Sequence, residues 1–331
     1  MAAQFVEVCA GCGGLSTGFM NAGFHPVLLN EMVPVFCQTL EANHPGVLVE
    51  NKDMRTLDLS AHHGRIDVLM GGVPCQAFSQ AGERKGLDDP RGQLILEFNR
   101  LVRQVSPKIL MVENVSGLLT HAGGATLKGV LELFANDGAY TLYYKLLNAA
   151  DYEVPQKRQR VFIVGVRNDI LAARGEFTYP VPSTKKVVLR DVLMNVPPSP
   201  GVAYSDAKRA VMEQVPEGGC WVDLPEEVQR VYMGEASLAA GGGKRGIARR
   251  LAMNQPSLTL LTSPSQKQTE RCHPTETRPL TVREYARIQT FPDSYTFVGS
   301  VANQYKQIGN AVPVKLAEAM ARRLREYLGS V

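Results

Sequence analysis

The chain has 331 residues, of which 44% are hydrophobic and 21% are charged, and its formal net charge is +4. This composition excludes a disordered or low-complexity protein, and the length predicts two domains. No apolar run approaches the length of a membrane span, and the first residues lack the basic and apolar segments of a signal peptide, so we expect a cytoplasmic protein.

Short apolar runs alternate with helical patterns through the first half of the chain. Strands are predicted at FVEVCAG, HPVLLNE, IDVLMGG and KILMVEN, with helices near 15–22, 34–42 and 93–105. The third helix carries a buried stripe formed by Leu94, Phe98, Leu101, Val102 and Val105. A helix near 125–135 and strands near 142–147 and 160–167 continue the series, which predicts a mostly parallel, doubly wound α/β sheet.

The character of the sequence changes after Tyr179. Prolines accumulate as far as Pro200, and turn-rich stretches such as GGGKRG and SPSQKQ follow. Regular patterns return with TVREYARIQ and with a last amphipathic helix, VKLAEAMARRLREYL, after IGNAVP. We therefore predict a large domain at 1–182 plus 300–331 and a smaller, irregular domain at 183–299.

The first predicted strand opens into a glycine-rich turn, GCGG at 11–14, before a helix. A ligand can approach the backbone closely at such a turn, although similar turns occur without one. Glu31 ends the second strand and Asp53 follows the third, where acidic residues can accept hydrogen bonds from ribose hydroxyls. Because the turn is not GxGxxG and no P-loop lysine follows, the set favours S-adenosylmethionine, a cofactor with an adenosine part but no pyrophosphate.

Six cysteines are scattered along the chain, which favours free thiols over a disulfide framework. Cys9 and Cys12 form a CxxC pair, but no second Cys or His pair lies nearby in sequence, so we predict no metal site. Cys75 follows Pro74 in GGVPCQAFSQAG, at the carboxyl end of a predicted strand. Ligands bind at that edge of an open α/β sheet, so the position is compatible with a reactive thiol as well as with a packing one.

Glu113 also follows a predicted strand, KILMV. A carboxyl group beside a thiol can donate a proton if burial raises its pKa, or it can cap the next turn. In QKRQR, strand alternation points Arg158 and Arg160 to the same side, where two guanidinium groups suit phosphate or carbonyl oxygens. Between Gly241 and Arg283 basic residues outnumber acidic ones, which suits a polyanion and also occurs on solvated faces.

Taken in order, EVCAGCGG, GGVPCQAFSQAG, ENV, QKRQR, RPLTVREYARIQTFPD and QIGNAVP resemble the DNA cytosine-5 methyltransferases, especially the compact bacterial enzymes of restriction-modification systems. The resemblance implies a Rossmann-like class I S-adenosylmethionine-dependent methyltransferase domain with a smaller target-recognition domain. It implies methyl transfer to C5 of a cytosine flipped out of a specific short sequence in double-stranded DNA. It also implies a monomer with no membrane partner, and leaves room for a cognate restriction endonuclease acting separately.

The resemblance also assigns residue roles. Cys75 would attack C6 of cytosine to form a covalent adduct, Glu113 would engage N3, Arg160 would bind O2, and Arg158 would hold the catalytic loop or a phosphate. The cofactor would contact Glu7, Cys9, Gly11, Gly13, Glu31, Met32, Asp53, Met54, Pro74, Leu94 and Asn310. DNA would contact Ser79, Arg84, Lys85 and Arg91 in a closing loop, Lys244 and Arg245 at phosphates, and Gln266, Lys267, Gln268, Arg271 and His273 at bases.

The first motif departs from the family pattern. Glu7-Val8-Cys9 stands where Asp-Leu-Phe is usual, and Met32 stands where an aromatic residue often follows the acid, so we expect weaker cofactor binding. Two other functions stay open. A tRNA cytosine-5 methyltransferase shares the scaffold but usually carries a Cys-Phe-Thr element and a reduced recognition segment, neither of which is found here. A non-enzymatic binder predicts a damaged catalytic set, whereas all four catalytic residues are present.

Overall fold

A computed structural model of the chain describes residues 2–73, 90–239, 243 and 245–329, and for 90–92 the backbone alone. The strands are β1 (Gln4–Val8), β2 (His25–Asn30), β3 (Leu48–Glu50), β4 (Val68–Gly71), β5 (Ile109–Val115), β6 (Tyr140–Asn148), β7 (Gln156–Lys157), β8 (Gln159–Arg167) and β9 (Ser257–Leu258). The helices are α1 (Gly14–Asn21), α2 (Pro34–Asn43), α3 (Pro90–Val105), α4 (Ala125–Phe134), α5 (Asn168–Arg174), α6 (Arg190–Leu193), α7 (Asp206–Glu213), α8 (Glu226–Met233), α9 (Glu235–Ala239), α10 (Val282–Ile288), α11 (Val301–Asn310) and α12 (Val314–Leu328). Within the described ranges, no helix combines the length and the apolar character that crossing a membrane requires.

Seven strands form one sheet in the order β3-β2-β1-β4-β5-β8-β6. Strands β1 to β5 run parallel, and β8 lies antiparallel between β5 and β6. Because β1 pairs with β2 on one side and β4 on the other, the order reverses at β1, and the carboxyl ends of β1 and β4 flank the crevice where ligands bind in such sheets. The predicted doubly wound α/β sheet is confirmed.

Helix α3 packs its apolar stripe into the core beneath the sheet. Phe98, Leu101, Val102 and Val105 are fully buried, as their spacing predicts. Leu94 is only half-buried, because Ile95 takes the innermost place in the first turns of the stripe.

The C-terminal helix α12 packs closely on α1. At Gly18 of α1, an added Cβ would lie 2.5 Å from Cβ of Ala317, so only glycine permits this approach. Arg325 donates from Nη1 to the carbonyl oxygen of Ala22, at the end of α1, over 2.8 Å. The last helix is therefore part of the sheet-containing unit.

The chain divides into two compact units. The first unit comprises Met1–Asn148, Gln159–Pro182 and Val312–Val331, and the second unit comprises Ala149–Arg158 and Ser183–Ala311. The predicted domains, 1–182 plus 300–331 and 183–299, differ from these units at 149–158 and 300–311. Both segments pack within the second unit, because β7 pairs with β9 and the rings of Tyr285 in α10 and Tyr305 in α11 lie 5.0 Å apart. The second unit also has its own core around Met212, Trp221 and Cys272.

Candidate active site

The glycine turn after β1 is held in place by the acid that follows β2. Gly11 donates from its backbone nitrogen to Oε2 of Glu31 over 2.8 Å, and Val33 donates to Oε1 over 2.9 Å. Gly11 and Gly13 have φ values of 59° and 85°, in the left-handed region that glycine adopts at little cost. Glu31 therefore fixes the turn, and its carboxylate oxygens retain further acceptor capacity for a ligand.

Glu7 and Cys9 lie at the end of β1, next to this turn. Glu7 is 1% exposed, and its Oε2 has no hydrogen-bond partner among the described residues. Burial raises the pKa of the Glu7 carboxyl to about 8. Burial, reinforced by the charge of Glu31, also raises the pKa of the Cys9 thiol to about 12. An uncharged acid and an uncharged thiol therefore stand here at neutral pH.

The space beside the turn is open. A Cβ added at Gly11 would meet no atom within 4 Å, so the backbone of the turn is accessible to a bound group. Met32, which follows Glu31, is 60% exposed and can cover a flat ring. The open turn, the acid after β2 and the unpartnered oxygen of Glu7 fit a nucleoside cofactor that also carries a polar amino-acid part.

The other predicted cofactor residues differ in their surroundings. Asp53 pairs with Arg55 over 2.6 Å, and hydrogen bonds from Arg55 lower the pKa of its carboxyl. Met54 is 3% exposed and packs in the core, and the half-buried Leu94 packs against the same core. Asn310 is exposed at the end of α11 in the second unit, and Pro74 lies outside the described residues.

A carboxylate and a guanidinium group form an ion pair at the carboxyl end of β5. Arg160, in β8, lies with Nε 2.8 Å from Oε1 of Glu113, and the two side chains are 14% and 11% exposed. The antiparallel register pairs Val115 with Arg160, so Arg160 is diagonal to Glu113 on the same face of the ladder. The second oxygen of Glu113, Oε2, lies towards Gly72, where an added Cβ would be 3.4 Å away.

Asn114 ties the segment that follows β4 to β5. It donates from Nδ2 to the carbonyl oxygen of Val73 over 2.7 Å, and both residues are buried. The chain that continues to Cys75 therefore leaves the sheet from a fixed point beside Glu113. Cys75 itself lies outside the described residues, as do Ser79, Arg84 and Lys85 and the side chain of Arg91.

Arg158 belongs to the second unit and is 1% exposed. It donates from Nη1 to the carbonyl oxygen of Leu260 over 3.1 Å and from Nη2 to that of Asn310 over 3.3 Å. It does not share a strand with Arg160, because β7 ends at Lys157 and β8 begins at Gln159. The structure therefore gives Arg158 two main-chain partners in the second unit, and its predicted loop or phosphate contact stays a prediction.

Two residues predicted to read bases are buried in the second unit. Arg271 is 5% exposed and donates from Nε and Nη2 to the carbonyl oxygen of Thr259 over 3.1 and 2.8 Å. His273 is also 5% exposed, and its Nδ1 accepts from the backbone nitrogen of Glu276 over 3.2 Å. Both side chains thus bind main-chain groups of the second unit, and their predicted contacts to bases stay predictions.

The remaining predicted DNA contacts of the second unit lie together. Gln266, Lys267 and Gln268 are exposed, and so is Arg245. Next to Arg245, Gly246 accepts from the backbone nitrogen of Glu270 over 3.0 Å, and a Cβ on it would clash with the carbonyl oxygen of Gln268. The stretch predicted to bind phosphates and the stretch predicted to read bases are therefore neighbours. Lys244 lies outside the described residues.

Sequence reasoning missed three buried amides, those of Asn114, Gln156 and Gln289. Asn114 could have been found, since it stands inside the ENV motif next to Glu113. The two glutamines carry no local signal, because their partners are far away in sequence.

For the described part of the chain, no group of three His, Cys, Asp or Glu side chains is placed to hold a metal ion.

Comparison with known proteins identifies similar sequences along the whole chain. The family model of the C-5 cytosine-specific DNA methylases matches residues 3–326. The type II methyltransferase M.Eco47II of Escherichia coli is 47% identical over 98% of this chain and 79% of its own length. M.Sau96I of Staphylococcus aureus, also a type II methyltransferase, is 47% identical over 97% of this chain and 75% of its own length.

Solved structures share the fold. One is a candidate DNA modification methyltransferase encoded within an E. coli prophage, with a TM-score of 0.76 and 23% sequence identity. The match covers 99% of this chain and 100% of that chain. Another is the Dnmt2 methyltransferase of S. pombe, with a TM-score of 0.65 and 18% sequence identity. This match covers 98% of this chain and 99% of the Dnmt2 chain. At these identities the likeness shows the fold alone.

Proposed function

The chain belongs to the C-5 cytosine-specific DNA methylases and transfers a methyl group from S-adenosylmethionine to C5 of cytosine in DNA; from this premise we propose that Cys75 is the nucleophile and that Glu113 and Arg160 hold the cytosine ring. The observation that carries the proposal is the ion pair of Glu113 and Arg160 beside the backbone that leads to Cys75. The match to DNA methylases does not favour the tRNA alternative, and membership of an enzyme family does not favour a non-enzymatic binder.

The short stretch of chain between Val73 and Cys75 supports the role proposed for Cys75. Val73 is held by Asn114, and two residues of chain span at most about 7 Å. Oε2 of Glu113 lies on the same side, towards Gly72. A cytosine held by Glu113 is thus within reach of a thiol two residues beyond Val73.

The chemistry requires activation of C6, because cytosine is a poor electrophile. Glu113 hydrogen-bonds N3 through Oε2 and shares a proton with it, which draws electrons from C6. Arg160, which holds Oε1, donates to the cytosine O2 and stabilises charge that develops there. The Cys75 sulfur then bonds to C6, and the electron pair of the C5–C6 double bond moves to C5.

The adduct resolves in two steps. S-adenosylmethionine bound beside the glycine turn would supply the methyl group from its positively charged sulfur, which would leave as a neutral thioether while the electron pair at C5 forms the new C–C bond. A base then removes the C5 proton, the C5–C6 double bond re-forms, and the Cys75 sulfur leaves as a thiolate. Glu31 and Gly11 would hold the cofactor.

The second unit would recognise the target sequence. We assign phosphate contacts to Arg245 and base contacts to Gln266, Lys267 and Gln268, since these four side chains are exposed and neighbouring. The cytosine would be flipped out of the duplex, because C6 inside a base stack is closed to a nucleophile. The proposal also includes that the chain acts as a monomer in the bacterial cytoplasm. Because the relatives are named type II methyltransferases, we include a cognate restriction endonuclease that acts separately.

A substituted substrate tests the role of Cys75. In DNA that carries 5-fluorocytosine, C5 has no proton to lose after methylation, so the adduct cannot resolve. We expect the wild-type chain with S-adenosylmethionine to form a complex with this DNA that survives denaturing gel electrophoresis. Cys75→Ser should form none while still binding the cofactor. A stable complex with Cys75→Ser would show that another residue is the nucleophile.

A further inference from the structure

The C-terminal turn of α11 is capped by side chains from distant parts of the second unit. Gln289 donates from Nε2 to the carbonyl oxygens of Ile308 and Ala311 over 2.7 and 3.2 Å. Arg158 donates from Nη2 to the carbonyl oxygen of Asn310 over 3.3 Å. The last carbonyls of a helix have no partner within the helix, and the helix dipole favours a cation there. Arg158 and Gln289 therefore fix the end of α11.

Gln156 connects this cap to the segment that follows β9. Its Nε2 donates to Oε1 of Gln289 over 2.8 Å, and its Oε1 accepts from the backbone nitrogen of Leu260 over 2.9 Å. Arg158 donates from Nη1 to the carbonyl oxygen of the same Leu260. Gln156, Arg158 and Gln289 are each at most 1% exposed, so a broken bond in this set would leave a buried polar group unsatisfied.

Direct backbone packing joins the same two elements. At Gly309 in α11, a Cβ would collide with the carbonyl oxygen of Leu261 and lie 2.9 Å from the backbone nitrogen of Thr262. The chain at 261–262 thus rests on the last turn of α11 at a distance that only glycine allows. Residues 263–269, which carry the exposed Gln266, Lys267 and Gln268, follow immediately.

We propose that Gln156, Arg158 and Gln289 are positioning residues that hold segment 263–269 in register with α11 and thereby determine how sharply the enzyme discriminates its target sequence. The inference rests on the proposed function, since it takes this segment as the base-reading one. None of the three side chains reaches a base. They act through Leu260, three residues before the segment, and a hydrogen bond to a base edge weakens steeply when its geometry shifts.

The experiment compares selectivity in three single variants of the full chain. Gln289→Met removes the amide at the centre of the network. Gly309→Ala keeps every polar partner but pushes 261–262 away from α11. Gln304→Met is the matched control, because Gln304 lies in the same helix and, among the residues that the structure describes, its side chain donates only to the carbonyl oxygen of Gly299, over 3.0 Å in an exposed place. Each protein methylates a plasmid of known sequence, and bisulfite sequencing reads every cytosine.

The measured quantity is the ratio of the methylation rate at target sites to that at sites differing by one base pair. We expect this ratio to fall about tenfold in Gln289→Met and in Gly309→Ala, and to stay at the wild-type value in Gln304→Met. A uniform loss of rate with an unchanged ratio in the first two variants would overturn the inference. Should Gln289→Met fail to fold, an unchanged ratio in Gly309→Ala alone would suffice to overturn it.

Failure of the proposed function would look different. If the wild-type ratio is high but Gln266→Ala and Gln268→Ala leave it unchanged, the base-reading role of segment 263–269 is wrong, and the inference falls with it. If these two substitutions lower the ratio while Gln289→Met and Gly309→Ala do not, the assigned base contacts stand and only the positioning network is refuted.

Discussion

Replacing Glu7 by glutamine should stabilise the folded chain increasingly as the pH rises. Glu7 is 1% exposed in β1, and burial raises the pKa of its carboxyl from 4.5 to about 8. In the unfolded chain the carboxyl releases its proton near pH 4.5, whereas the folded chain keeps it until about pH 8. The folded state therefore binds one more proton between these values, and the free energy of unfolding falls by about 1.4 kcal/mol per pH unit.

The size of the effect follows from the width of this window. Between pH 5 and pH 8 the wild-type chain should lose roughly 4 kcal/mol of stability at this site, as an upper limit. Glutamine is nearly isosteric and neutral at every pH, so Glu7→Gln avoids the loss. Below pH 4.5 the carboxyl is protonated in both states, and the wild-type site loses nothing.

Urea unfolding at pH 5, 6, 7 and 8, followed by far-ultraviolet circular dichroism, measures the difference. The stability advantage of Glu7→Gln over the wild type should grow with each step in pH. The matched control is Glu132→Gln in α4, where the side chain is 67% exposed and the same change should give no such growth. A constant difference between Glu7→Gln and the wild type across the series would refute the account of a protonated, buried carboxyl.

Three further predictions address the site. Asn114→Ala removes the bond that holds Val73, so kcat should fall at least about tenfold while the Kd for S-adenosylmethionine in calorimetry stays unchanged; an unaltered kcat would contradict this. Arg245→Ala should weaken binding to all DNA sequences alike and reduce the slope of log affinity against log salt by about one; relaxed specificity with an unchanged slope would exclude a phosphate contact. Cys9→Phe should tighten S-adenosylmethionine binding several-fold, because an aromatic ring can stack on adenine; calorimetry showing no gain would count against our interpretation of the altered first motif.

The local parts of the fold could be predicted from the sequence because their signals are local. The stripe of α3 repeats within a few residues, and Phe98 and Val105 are buried as their spacing requires. Alternation of strands with helices predicts a parallel sheet, and glycine and acidic residues at strand ends mark the ligand-binding edge. The first turns of α3 show the limit of such predictions, because Ile95 is buried in the core where Leu94 was predicted. Two adjacent apolar residues fit a helical stripe equally well.

The roles of charged side chains in the second unit could not be predicted in this way. Arg158 caps a helix whose end lies 152 residues further along the chain, and no pattern near QKRQR records that partner. Arg271 and His273 stand in a basic, turn-rich stretch, yet both fold inward onto main-chain groups. The sequence does not distinguish an arginine that binds a carbonyl oxygen of its own chain from an arginine that binds a phosphate. Only the tertiary structure shows which of these contacts is made.

The central claim is that this chain methylates cytosine C5 in a specific DNA sequence through Cys75. The most direct test is methyl transfer from labelled S-adenosylmethionine to genomic DNA by the wild type and by Cys75→Ser, with the product mapped by bisulfite sequencing. We predict 5-methylcytosine in one short sequence with the wild type and none with Cys75→Ser. Methylation by Cys75→Ser at the wild-type rate, or no transfer to DNA by a folded wild type that binds the cofactor, would contradict the account.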